Sequence, residues 1–255
     1  GRRLHGIYLQ QCIPGNEVWQ ITMTQFPYSE ILISGNDAFD FLQGQLSNDL
    51  RRLEQEPRLL SAWCNPKGRV ICLLRVTKTS AGYALALPSE LAEEVVRRLT
   101  LFRFRAKVEF ETSNADRESP ALNIPAQLSL EAWQRQNLRD GIPEIYAPQS
   151  EKFTPHMLNL DRLDAISLNK GCYTGQEIVA RTHYRGASKQ RMLHFESQVP
   201  VAAGDAVNEG AKKVGEVINA IERELLALVP LDSADASLNC NGAMLSARPL
   251  PYHFT

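Results

Sequence analysis

The chain is poor in the residues that build metal centres and disulfide frameworks. Its five cysteines, Cys12, Cys64, Cys72, Cys172 and Cys240, are odd in number and widely spaced, and no CxxC occurs. That pattern argues against a disulfide scaffold and fits reduced thiols. It leaves no clustered thiols to hold zinc or an iron–sulfur cluster within one chain. The five histidines are scattered, with no HxxxH pair, so no metal ligand is assigned. No apolar run approaches the ~20 residues that a membrane span needs, and no signal peptide is visible. The chain opens on Gly1 without Met, which points to a trimmed or tagged N-terminus. Excess charge is missing too. A net charge of −1 over 255 residues sets up no overall field toward nucleic acid or membrane, although a local basic patch is compatible with it.

What is present is an ordinary globular composition, 44% hydrophobic and 22% charged, in a chain long enough for one large domain or two. Tyr28–Ser34 (YSEILIS) reads as a strand. Asp37 then caps a helix through DAFDFLQGQLSNDL. Arg58–Cys64, Arg69–Thr77 and Tyr83–Leu87 read as strands, with a turn at Asn65-Pro66-Lys67-Gly68. Leu91, Val95, Val96 and Leu99 fall on one helical face after Pro88-Ser89. Ala106–Glu111 is strand-like, and Ser129 caps a helix that stops near Gly141. Residues 112–127 are polar, carry Pro120 and Pro125 and have no period, and they read as a linker or crossover. Strands and helices mix without a βαβ rhythm, so the fold class is α+β. After Gly186 short β segments follow, RMLHFES, AVNEG, KVGEVINAI, ELLALVPL and AMLSARPL, which suit a small β-barrel or sandwich.

The stretch KGCYTGQEIVAR, Lys170–Arg181, sets a thiol between two glycines. Thr174 as N-cap with Glu177 three residues later makes a capping box. Cys172 then stands just before a helix N-terminus, whose unpaired N–H groups favour a thiolate, and Lys170 adds a cation. The alternative is a tight turn at Gly171 and Gly175 with Cys172 as a small buried filler. The basic run Arg181, His183, Tyr184, Arg185, Lys189 and Arg191 suits phosphates, a polyglutamate tail or RNA, and equally a solvated helix end. Trp133 and Trp63 by themselves read as core.

KGCYTGQEIVAR followed by RTHYRG resembles the signature of the YgfZ family of folate-binding proteins, relatives of the glycine-cleavage T-protein, an aminomethyltransferase. ISGNDAFDFLQGQLSNDL, LSAWCNPKGRV, LRDGIPEI, FTPHMLNLD and the final LPY match in the same order. The resemblance implies a T-protein-like α+β body over residues 1–188 that binds tetrahydrofolate or a one-carbon derivative. It implies a C-terminal β-barrel over residues 189–255. It puts Lys170 and Cys172 at the functional centre, and Tyr28, Trp133, Lys170, Gln176, Glu177 and Arg181 around the folate. It implies iron–sulfur client enzymes or cluster carriers as partners, and a role in [4Fe–4S] maintenance and, through it, in tRNA modification. No membrane partner is implied. Near-neutral charge counts against direct tRNA binding through residues 181–191. The compartment implied is the cytoplasm in a bacterium, or the mitochondrial matrix in a eukaryote.

Two departures limit that transfer. Cys72 and Leu73 stand where the T-protein strand carries paired acidic residues, so aminomethyl transfer is not carried over. Longer relatives have a further α/β stretch where this chain has only residues 112–127. Two functions stay open: an accessory factor with Cys172 as transient ligand or redox contact, and a folate-dependent one-carbon transferase with Cys172 as nucleophile or acceptor.

Overall fold

The computed structural model describes residues 26–185, 188–233 and 236–254. The start of the body, with Cys12, and the Arg185 side chain lie outside the described residues. The body is built on a five-stranded antiparallel sheet. Its strands are β1 (Tyr28–Ser34), β2 (Leu59–Cys64), β3 (Val70–Lys78), β4 (Gly82–Pro88) and β5 (Glu109–Asn114), in the order β2-β3-β4-β1-β5. Helices α1 (Ala38–Gln43) and α2 (Ser89–Phe102) cover one face. Alternation in β1 turns Ile31 and Ile33 to that face, where α2 supplies Leu91, Val95 and Leu99.

The other face is covered as well, which is why β3 is buried almost throughout. Leu73 meets Phe153, Leu158 and Leu160 from the loop-rich segment, and Met192, Ile218, Leu226 and Leu228 from the barrel. That barrel is closed, with six strands: β6 (Gln190–Ser197), β7 (Ala206–Glu209), β8 (Lys212–Ile221), β9 (Glu224–Pro230), β10 (Leu238–Cys240) and β11 (Ala243–Arg248). Phe195, Val207, Val217, Leu225 and Val229 fill its interior. Polar contacts fix the barrel to the body. Arg191 forks onto Asp161 at 2.6 and 3.0 Å and donates to the His156 carbonyl at 2.8 Å. Glu144 and Asn219 exchange two hydrogen bonds of 2.9 Å.

Three expectations change. The helix after Asp37 ends at Gln43, and Asp37 accepts from the Lys107 backbone N–H at 2.7 Å instead of capping. Beyond Gly44, Asn48 and Asp49 accept from the Asp49 and Arg51 backbone N–H groups, an alternative that short polar side chains offer to helix, and Ser47 bonds across to Ala62 of β2. Strand β10 escapes the pattern because three residues carry no period. Residues 112–127 are not a linker. Thr112–Asn114 continue β5 against β1, and Ala115, Ala121, Leu122 and Ile124 are buried. The third helix, α3 (Leu130–Arg139), keeps its Ser129 cap, whose side chain accepts from the Ala132 N–H at 3.0 Å.

The Asp161–Arg191 fork is at most 11% exposed on either side. Removing one partner of a buried pair strands the other charge, at a cost of about 3–5 kcal/mol. Asp161→Ala should therefore lower the urea midpoint by that equivalent, whereas Arg248→Ala, whose partner Glu196 is exposed, should change it little.

Candidate functional site

Lys170 is 7% exposed and donates to the Leu46 carbonyl at 2.6 Å and the Asn48 carbonyl at 2.8 Å. The same loop is tied down by its own side chains. Ser47 Oγ donates to the Ala165 carbonyl at 2.7 Å and accepts from Ala62 N–H at 2.8 Å. Asn48 Nδ2 donates to Leu60 and Asp164 carbonyls, both at 2.8 Å. Residues 46–48, β2 and 164–170 thus share one buried polar network. The motif's second half rests on the turn at 65–68. Gly175 has φ +83°, and a Cβ there would stand 2.5 Å from the Asn65 carbonyl oxygen. No side chain fits at that point.

Cys172 lies between these anchors and is exposed, while Cys64, Cys72 and Cys240 are buried. Burial raises the three buried thiols, to about 12 at Cys64 and about 11 at Cys240. The filler reading of Cys172 is corrected by its exposure. The expected cap is corrected too. Helix α4 (Gln176–Arg185) starts at Gln176, and it is the Gln176 Oε1 that accepts from Tyr173 N–H, at 3.2 Å. Cys172 is four residues ahead of that start, and the Lys170 ammonium is used on backbone carbonyls rather than offered to the thiol. Glu177 and Arg181 are exposed one turn apart. The basic run divides: Arg181, His183, Tyr184 and Lys189 are exposed, but Arg191 is the buried partner of Asp161.

Tyr28 and Trp133 do come together, at 5.7 Å and 83°, but inside the protein, at 1% and 8% exposure. The Arg75 guanidinium lies 4.7 Å over the Trp133 ring and pairs with Glu144 at 2.7 Å. Ala115, Ala121, Leu122 and Ile124 pack over the pair, with Phe26 5.8 Å from Tyr28. The residues expected around one folate therefore occupy two places, this cluster and the 170–181 motif. Sequence reasoning missed Arg75, Glu144 and the hydroxyl of Tyr146, which hydrogen-bonds Tyr28. The one signal was an arginine inside the otherwise apolar run VICLLRV. The chemistry of the cluster suits a pterin at one group only, since Asn137 Nδ2 is buried without a hydrogen-bond partner whereas Arg75 Nη2 and Glu144 Oε1 engage each other at 2.7 Å. The space does not: the ring surfaces a folate would use are taken by protein, so the residues as packed do not fit the cofactor.

Cys72 and Leu73 are 0% and 2% exposed and face opposite sides of the sheet. A carboxylate at either would be buried in hydrocarbon, so this stretch of β3 supplies no acid or base. Among the described residues no group of three or more His, Cys, Asp or Glu is placed to hold a metal, and no helix is long and apolar enough to cross a membrane.

The sheet with its appended barrel has an aminomethyltransferase-like fold. The crystal structure of the glycine cleavage system aminomethyltransferase T from Bartonella henselae superposes with a TM-score of 0.69 at 14% identity, over 88% of this chain and 83% of that one. The family described as CAF17, C-terminal beta-barrel domain, matches residues 189–252. The tRNA-modifying protein YgfZ of Enterobacter sp. (strain 638) is 27% identical over 86% of this chain and 89% of its own. An uncharacterized protein of Haemophilus influenzae is 31% identical over 70% and 73%. The chain belongs to the YgfZ family.

Burial lowers the Lys170 ammonium to about 8 from 10.5. Between those values the unfolded chain holds a proton that the folded one sheds, so this group adds stability as pH rises from about 8 to 10.5. Lys170→Met should cost about 1–3 kcal/mol for each of the two orphaned carbonyls, less what the wild type spends at neutral pH on burying the charge. Urea unfolding at several pH values should show wild type gaining on the variant across that window. A constant difference would mean that Lys170 does not titrate there.

Proposed function

We propose that the chain is an accessory protein that supports [4Fe–4S] enzymes, and through them the modification of some tRNAs, with Cys172 as a transient cluster ligand or thiol-exchange partner. One observation carries this reading. Of the four described cysteines only Cys172 is exposed, on a turn anchored by Lys170 on one side and Gly175 on the other. One accessible thiol can assist a cluster in transit but cannot alone hold one. The tRNA part is supported by the name that several relatives carry, tRNA-modifying protein YgfZ. The partners are iron–sulfur enzymes or cluster carriers, and the compartment is the bacterial cytoplasm, in keeping with bacterial relatives. A one-carbon transferase is the weaker reading, because Cys72 and Leu73 leave β3 without a carboxylate.

The family and its fold support folate as the small-molecule ligand. Its place is the sheet face at Tyr28 and Trp133, which residues 115–124 must leave before a pterin can enter. Loosening that cover should therefore help binding. In calorimetry, the Leu122→Ser/Ile124→Ser double variant, checked for an intact fold, should bind tetrahydrofolate at least about tenfold more tightly than wild type. If wild type binds more tightly than the variant, the cover is part of the site instead. If neither binds, this face is not a folate site.

The thiol is tested in a strain lacking the protein. Cys172→Ser nearly conserves volume, so the fold should persist while [4Fe–4S] enzyme activity stays near the deletion level. Cys240→Ser, inside the barrel, should restore it. Full complementation by Cys172→Ser would make the thiol dispensable and end this reading.

A further inference from the structure

The C-terminal end of α2, with the residues after it, is LFRFRAK, Leu101–Lys107, and it is built unlike the rest of the surface. The helix ends at Phe102, Arg103 is its cap, and Phe104 follows at φ +43°. That position after a helix end normally takes glycine, because a side chain there meets the preceding backbone. A phenylalanine at this place is strained and gains no burial in return, being 88% exposed. Leu101 beside it is 65% exposed. Phe102 anchors the tip, its ring edge-on to Trp63 at 6.4 Å and 85°. A side chain that costs the fold strain and receives no packing points to a role outside the fold.

The charges of the tip are as unusual. Arg97 and Arg98, earlier on α2, are held by Glu94 at 2.8 and 2.6 Å. Arg103, Arg105 and Lys107 are exposed, and no ion pair engages their side chains among the described residues. The acidic groups alongside are Asp37, which takes the Lys107 backbone N–H, and Glu109. In a chain of net charge −1 this is a local concentration of free cations. It borders a shallow depression of about 460 Å³ lined by Gly35, Asn36 and residues 103–109.

We propose that the tip Leu101–Lys107 is a docking surface for single-stranded RNA, with Phe104 stacking on a base and Arg103, Arg105 and Lys107 on phosphates. Interleaved aromatic and cationic side chains are what an unpaired strand requires, since its bases offer flat faces beside a charged backbone. A lipid surface fits less well. Leu101 and Phe104 project and Phe102 is 37% exposed, but Arg103 and Arg105 flank Phe104, so burying the ring would draw both guanidinium groups toward the apolar layer. The choice of RNA over DNA rests on the tRNA part of the proposed function; the surface itself rests on the tip.

The test is fluorescence anisotropy with the full chain, a labelled oligouridine and an unmodified tRNA transcript, at low and moderate salt. Wild type should bind, and more weakly as salt rises. Arg103→Glu/Arg105→Glu should weaken binding by tenfold or more. Phe104→Ala should weaken it severalfold at both salts without lowering thermal stability, and Phe104→Trp should retain it. No binding of either RNA, or equal binding by all variants, overturns the proposal. So does pelleting with phosphatidylserine vesicles in place of RNA binding, which would make the tip a lipid contact. Cys172→Ser should bind RNA like wild type. Loss of RNA binding as the sole failed result would leave the thiol reading standing, and full complementation by Cys172→Ser would leave the tip standing.

Discussion

Lys170 is the contact on which the placement of the 170–181 motif depends. Three segments far apart in sequence, 46–48, 60–62 and 164–170, meet around buried backbone groups that cannot all pair with one another. A buried polar group without a partner costs about 1–3 kcal/mol. The ammonium resolves two carbonyls at once, and Ser47 and Asn48 resolve the rest. The gain is geometric as well as energetic. With residue 170 fixed in the body and Gly175 pressed against the Asn65 carbonyl, the four residues between them have little freedom. Cys172 is therefore presented at a defined place on the surface although it belongs to no helix or strand.

The second face of the sheet shows how the rest of the molecule is apportioned. Near β2 and β3 it is covered by residues 153–165 and the outer wall of the barrel. Near β1 and β4 it is covered by residues 115–130 and α3. Arg75 and Glu144 stand between the two clusters as a buried pair. Glu144 is also tied to Asn219 of β8, so the barrel, the sheet centre and the Trp133 ring are linked through one residue. A buried ion pair contributes little net stability, and hydrocarbon would serve the packing as well. Its position under an aromatic ring is the feature of this face that packing does not require.

Much of this was legible in the sequence, and what was not has physical causes. Strand β1 and helix α2 follow from apolar periodicity, and the Ser129 cap and the turn at Gly141 follow from residue chemistry. The long motif identified the family, and with it the barrel. Periodicity said nothing about residues 115–124, because their apolar side chains are spaced singly between polar ones and only the sheet beneath makes them core. It said nothing about which charge Lys170 serves, since a cation two residues from a thiol in sequence can point anywhere. The helix starts at Gln176, which puts the N-cap position at Gly175 rather than Thr174, a shift of one position between residues that differ as caps by only a few tenths of a kcal/mol. Arg191 read as part of a basic patch because the paired Asp161 lies 30 residues away.

At the proposed folate site, the cover over Trp133 would set the affinity. Withdrawing Leu122 and Ile124 exposes two side chains whose burial is worth about 1.5–3 kcal/mol each. A ligand of micromolar intrinsic affinity binds with about 8 kcal/mol. Subtracting an opening cost of about 3–6 kcal/mol leaves about 2–5 kcal/mol, which corresponds to a dissociation constant near or above the millimolar range. At micromolar folate a site held that weakly is almost empty. Occupancy at useful levels then requires something that holds the cover open, and the natural candidate is a protein bound to the same face or its margin. In that arrangement folate would report on the presence of a partner rather than serve a reaction of this chain, which agrees with the accessory role proposed for Cys172 and with a β3 strand that carries no carboxylate.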